Sequence, residues 1–152
     1  MMSLPREVLL EISKWLSLEE RMTHLALVCR YLYDVIHDSS LWRTVYSNAE
    51  FTLHSFNSLF RHDRDLRHLG FRHLQRPLTF TTDAFFIEQK LMNCCNLISL
   101  DLGYNTSISS LHFVRHMPSL RELDILSCQN ITLERLVTSL YKKKYTRNIK
   151  NA

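Results

Sequence analysis

The chain has 152 residues, 45% of them hydrophobic, with only two Gly and three Pro. That composition excludes a low-complexity or collagen-like chain and leaves room for one compact domain or two small units sharing an interface. No apolar run approaches the ~20 residues that cross a bilayer, so no membrane partner is expected. The formal net charge is +4, but it is not spread over the chain. Residues 1–46 carry five basic and six acidic groups, 47–92 six and five, 93–141 three and four, and 142–152 five and none. The excess sits in "KKKYTRNIKNA", and the body is neutral, which argues against nucleic acid as a partner.

The first predicted element is "LPREVLLEISKWL". At about 100° per residue, Leu4, Val8, Leu9, Ile12, Trp15 and Leu16 share an arc of roughly 140°, and Leu10 projects close to the opposite side. Pro5 fits the start of a helix, because its missing N–H is not needed there. Glu7 and Glu11 stand where a secretory signal would be free of acids. Ser17 with Glu20 reads as a capping box opening a second helical stretch. Its apolar positions are Met22, Leu25, Cys29, Leu32 and Ile36, one face of a helix or of two helices in near-continuation. "HDSS" at 37–40 interrupts it. "LWRTVY" then adds Leu41, Trp42 and Val45 as a third short helix. A unit this small gains from docking.

These residues resemble an F-box. The pattern is Leu4, Pro5 and Glu7; Leu16, Ser17, Leu18 and Glu19; Val28, Cys29 and Arg30; and Leu41, Trp42 and Arg43. Leu32 departs from it, since the family usually has Trp there. The resemblance implies docking on a small Skp-type adaptor that bridges to a cullin scaffold. It places Leu4, Pro5, Val8, Leu9, Ile12, Leu16, Val28, Cys29, Leu41 and Trp42 on the adaptor-binding face. Surplus apolar surface on a small helical unit points the same way.

After a connecting helical segment at 47–65, which includes Phe51, Phe56, Leu59 and Phe60, the chain repeats itself. Leu97, Leu100, Leu102 and Asn105 recur as Leu120, Leu123, Ile125 and Cys128, shifted by 23 residues, and Ile108 recurs as Ile131. This is the leucine-rich-repeat pattern L-x-x-L-x-L-x-x-N/C. A looser copy begins at Leu66, with Leu69 and Phe71. "DAFFIEQKLM", "SSLHFVRHM" and "TLERLVTSL" are the expected helical returns. The fold expected is thus α+β: a three-helix F-box at 1–46, a short leucine-rich-repeat solenoid of about three repeats at 66–141, and a basic tail at 142–152. Either the tail shields the exposed end of the last repeat, or the chain is a shortened form of a longer repeat array.

Residues between the repeat leucines should face outward and form a client-binding face: His68, Arg72, Ser99, Asp101, Tyr104, Glu122 and Asp124. Asp101 and Asp124 are expected side by side and facing water. Several chemical readings are set aside. Cys94 and Cys95 are adjacent, a poor spacing for zinc even with His112 and His116 at i, i+4, so no metal or cofactor is expected. No Gly-rich phosphate loop or nucleophile motif is present, so the chain is read as no enzyme. Four Cys at no framework-like spacing and no export signal favour a reducing cytoplasmic or nuclear compartment. Together with the F-box/leucine-rich-repeat resemblance, this implies a client-recognition subunit of an SCF-type ubiquitin ligase. The alternatives are a shortened F-box protein that competes for adaptor without a client, and a nucleic-acid binder using "RHDRDLRHLGFRHLQR" and the tail.

Overall fold

In the computed structural model of the chain, the described residues are 4–47, 57–71, 84–105, 108–131 and 149–150. Helix α1 spans Arg6–Trp15. Pro5, extended at φ −56° and ψ 148°, leads into it. The Pro5 carbonyl accepts from the Val8 and Leu9 N–H groups at 3.1 and 3.2 Å. The expected capping box forms. The Ser17 N–H donates to Glu20 Oε2 at 2.8 Å, and the Glu20 N–H donates to Ser17 Oγ at 3.2 Å. A wide π-helical turn, Glu20–Leu25, runs into α2 at Ala26–Val28. Cys29 is extended at φ −162° and ψ 163° and breaks the helix, and α3 follows at Arg30–Ile36. Of the two readings of the apolar spacing, two helices in near-continuation is the one observed.

Asp38 then caps a 3-10 turn, Ser39–Trp42, its carboxylate accepting from the Ser40 N–H at 3.0 Å and the Ser40 hydroxyl at 2.7 Å. Here the fold departs from the expected third helix. "TVYS" is strand β1, Thr44–Ser47. Two β-branched residues and an aromatic favour a pleated surface over a helix, and a neighbouring strand is available to pair with them. The end of the helical unit is therefore the first strand of the sheet.

Among the described residues that sheet has five parallel strands in chain order: β1, then β2 at His68–Phe71, β3 at Ser99–Asp101, β4 at Glu122–Asp124 and β5 at Ile149–Lys150. Register aligns Thr44, His68, Ser99 and Glu122 in one row, and Val45, Leu69, Leu100 and Leu123 in the next. A third row holds Tyr46, Gly70, Asp101, Asp124 and Lys150. Side chains alternate across a strand, and the burial follows: the Val45 row is 0–6% exposed and forms the core floor. Leu66, Leu97 and Leu120 before the strands, Phe71 at the end of β2, and Leu102 and Ile125 after β3 and β4 extend that floor.

Parallel neighbours need a crossover. Between β2 and β3 it includes α4, Ala84–Met92, which buries Ile87 and Leu91. Between β3 and β4 it is a 3-10 turn, His112–His116, which buries Phe113 and Val114. These match two of the expected helical returns, although the second is a single tight turn. "TLERLVTSL" lies outside the described residues. In the tail, Ile149–Lys150 pairs with β4 and covers its edge.

The 23-residue repeat is also visible in the backbone. Tyr104 and Ser127, one repeat apart, both adopt left-handed conformations, at φ 62° and 55°. Such residues cost energy without Gly, so something must hold the turn. The next residue does. Asn105, fully buried, donates from Nδ2 to the Phe71 carbonyl at 2.5 Å and to the Leu102 carbonyl at 2.7 Å. Its counterpart Cys128 donates from Sγ to the Leu102 carbonyl at 3.0 Å. Each side chain thus reaches back to a carbonyl on the preceding strand. Asn105→Ala should strand buried carbonyls and cost about 1–3 kcal/mol. Cys128→Ala removes only a weak thiol donor and should cost clearly less. Urea denaturation of the two variants side by side checks the order.

Candidate functional site: an outward apolar stripe on the N-terminal helices

Helix α1 is turned the opposite way from an ordinary amphipathic helix. Its buried residue is Ser13, whose hydroxyl donates to the Leu9 carbonyl at 2.7 Å. Leu10, the residue on the less apolar side, packs against the core. The apolar arc faces solvent: Leu4 is 53% exposed, Val8 41%, Ile12 46% and Trp15 89%. Spacings of four, four and three residues stack these side chains along one stripe. Orientation is fixed from the other side. Arg6 pairs with Asp38 at 2.8 Å, tying the first turn of α1 to the cap of the Ser39–Trp42 turn.

Neighbouring helices also expose apolar and aromatic residues. Leu27 and Val28 of α2 are exposed, as are Cys29 at the break and Tyr31 and Tyr33 of α3, which packs beside α1. Burying one such aliphatic side chain against a partner contributes roughly 1.5–3 kcal/mol. Exposed apolar patches of this kind mark interaction sites.

Of the ten residues expected on the adaptor face, Leu4, Pro5, Val8, Ile12, Val28 and Cys29 are exposed, and Leu9 and Leu16 are half-buried. Leu41 and Trp42 are corrections, since both are core residues at 3% and 0% exposure. Trp42 is held by its indole N–H, which donates to the Ile36 carbonyl at 2.8 Å, and by the Arg21 guanidinium 5.9 Å from its ring centre. Arg21 itself is buried, donates to the Leu41 carbonyl at 3.1 Å, and has its pKa lowered by desolvation. A motif position that supports the fold cannot be told from one that contacts a partner by residue type alone. Trp15, Leu27, Tyr31 and Tyr33 were not assigned to the face from sequence. Trp15 lies on the same helical arc as Leu4, Val8 and Ile12, so for it the signal was available.

The Asp38 carboxyl is held down to about 2 by hydrogen bonds from the Ser40 hydroxyl, the Arg6 guanidinium and the Ser40 N–H, in that order. A carboxylate held below its ordinary 3.8 stabilises the fold above that pH, and the contribution is lost as pH falls toward 2. Asp38→Asn should therefore lower Tm at neutral pH and flatten part of the loss of Tm between pH 4 and 2. A wild-type acid limb unchanged by the substitution would show that Asp38 plays no such part.

On the sheet, His68, Ser99 and Glu122 occupy one outward row, and Asp101 and Asp124 are register partners, as expected. Tyr104 is 36% exposed on the turn after β3. Arg72 lies outside the described residues. The two aspartates are not simply solvated. Asp101 Oδ1 accepts from the Gly103 N–H at 3.0 Å and Asp124 Oδ1 from the Leu126 N–H at 2.9 Å, so each also shapes the turn behind its strand. Tyr46, 58% exposed, covers Gly70, where a Cβ would collide with its ring. The helical unit thereby contributes an aromatic to the outward face of the sheet.

Cys94 is buried, and burial, followed by Asp63 and Cys95, pushes its thiol up to about 12. It is a packing residue that keeps its proton. Among the described residues no group of three or more His, Cys, Asp or Glu is placed to hold a metal ion, and no helix is long and apolar enough to cross a membrane.

A comparison with curated proteins returns no match. The family model for F-box-like domains matches residues 1–48. The matched segment takes in α1 to α3, the capped 3-10 turn and strand β1. The chain therefore carries an F-box-like domain at residues 1–48, and the outward stripe of α1 lies within it.

Proposed function

We propose that the chain is a non-catalytic client receptor of an SCF-type ubiquitin ligase. Its F-box-like helices dock a Skp-type adaptor, which links it to a cullin scaffold, and its second unit holds a client protein. The observation that carries this reading is the solvent-facing stripe of Leu4, Val8, Ile12 and Trp15, on a helix that turns Ser13 inward. F-box proteins generally act in such ligases, and F-box domains typically bind adaptors of this class.

The second unit reads best as a short leucine-rich-repeat array. The 23-residue spacing, the matched left-handed turns at Tyr104 and Ser127, and the inward Asn105 and Cys128 all support it. Client contact would fall on the outward rows from Tyr46 and His68 to Glu122 and Asp124. The chain's contribution to ubiquitin transfer is then proximity, delivered without chemistry of its own. A cytoplasmic or nuclear setting goes with this role.

Affinity purification of the tagged chain, followed by mass spectrometry, tests the assignment. Adaptor and cullin should co-purify with the wild-type chain and be lost with Leu4→Ala/Pro5→Ala. Recovery of neither from wild type would remove the ligase reading.

A further inference from the structure

Two histidines from different parts of the chain meet against Trp42. His37 closes α3, and His62 belongs to a 3-10 turn, Phe60–His62, ahead of β2. His37 Nδ1 and His62 Nε2 are 3.0 Å apart. The His62 ring lies flat on Trp42, with centroids 4.2 Å apart and planes 7° from parallel. His37 lies within 20° of parallel to both, its centroid 5.3 Å from His62 and 6.3 Å from Trp42, with Tyr33 edge-on at 4.2 Å. This stack joins the F-box-like helices to the 57–66 segment.

The surroundings choose the proton positions. His62 Nδ1 faces the Asp65 carboxylate at 3.6 Å, which favours the tautomer with its hydrogen on Nδ1. Its Nε2 is then the acceptor, and His37 Nδ1 is the donor. That leaves His37 Nε2 as a buried lone pair with no hydrogen-bond partner among the described residues. The arrangement resists another proton. On His62 Nε2 it would force His37 to shift its own hydrogen to Nε2, a buried position with no acceptor among the described residues. On His37 Nε2 it would create a buried cation without an acceptor.

We propose that the His37–His62 pair is a proton-sensitive latch, closed when both imidazoles are neutral, that lets the 57–66 segment lift from Trp42 in mild acid. The charges around it set its bias. Arg61 opposes protonation of both rings, and Arg21 places a further cation on the Trp42 ring. Asp34, from α3, favours a charged His37, and Asp65 favours a charged His62. Burial outweighs these carboxylates, and both imidazoles are held below the ordinary 6.5. The neutral pair therefore stabilises the closed state above that pH, and the stabilisation is lost as pH falls below it.

The chain holds two tryptophans, so Trp15→Phe leaves Trp42 as the sole reporter. Between pH 7.5 and 5.0, Trp42 emission should shift to the red as water reaches the ring. The Asp65 and Leu66 amides, both bonded to the His62 carbonyl, should exchange faster than pH chemistry alone dictates. The gain is at most about tenfold per pH unit for each proton taken up. The Leu69 and Leu100 amides should stay protected. His62→Phe keeps a ring against Trp42 and should abolish both effects; should it fail to fold, His37→Gln tests the same loss. Emission and exchange that stay flat to pH 5.0 in the Trp15→Phe chain would overturn the latch. So would opening of Asp65 and Leu66 only together with the sheet amides.

Discussion

Trp42→Ala should lower the unfolding free energy by about 3–5 kcal/mol, a fifth or more of the roughly 5–15 kcal/mol of an ordinary domain. Trp42 is fully buried, and three things lean on it. The Ile36 carbonyl accepts its indole N–H, Arg21 lies 5.9 Å from the ring centre, and His62 stacks on it at 4.2 Å. Truncation opens a large cavity, strands a buried carbonyl, and removes the ring from beside a buried guanidinium. Trp42→Phe keeps much of the volume and should lose less, chiefly the hydrogen bond, worth about 1–3 kcal/mol. Urea denaturation followed by circular dichroism reads both. A Trp42→Ala midpoint equal to wild type would place Trp42 at the surface, where the motif pattern alone would allow it to be.

Val8→Asp with Ile12→Asp should do the opposite, leaving stability within about 1 kcal/mol and removing adaptor binding. Both side chains are more than 40% exposed, so the fold loses little packing. The main folding cost is the modest helix propensity of Asp, a few tenths of a kcal/mol per site. At a docked interface the same changes bury two carboxylates in an apolar contact. Truncating central anchors typically costs 2 kcal/mol or more each, and about 4 kcal/mol is nearly a thousandfold in Kd. Pull-down with purified adaptor checks the binding, and thermal melting checks the fold. Binding that survives the double substitution would move the docking face elsewhere.

Periodicity in the chain encodes some features of this fold, and packing alone decides others. Capping at Ser17 and Glu20 was legible because two side chains and two N–H groups three residues apart satisfy one another without outside help. The repeat was legible for a related reason. Leu100 and Leu123 must face the same core and Asn105 and Cys128 the same carbonyl ladder, so spacing and residue type recur together. The direction of α1 was less so. Its helical wheel has an apolar arc, and periodicity says that the arc is covered, but not by what. Here the rest of the chain covers Leu10 and Ser13 instead.

Leu41 and Trp42 fell on the wrong side of the same ambiguity, because a family motif mixes positions that hold the fold with positions that meet a partner. Strand β1 was missed because "TVYS" is too short to show alternation. Its strand character comes from β2 beside it, 24 residues on. The meeting of His37 with His62 has no local signature, since it depends on how two turns 25 residues apart stack on one ring.

The most direct test of the central claim is a fluorescence titration of the Trp42→Phe chain with a purified Skp-type adaptor, with the adaptor's own emission subtracted. Trp15, 89% exposed at the end of the α1 stripe, is then the sole tryptophan of the chain. A saturable blue shift is expected as the stripe is buried, absent when Val8→Asp and Ile12→Asp are added. Adaptor that fails to bind the chain, or that binds and leaves Trp15 in water, would contradict the central claim.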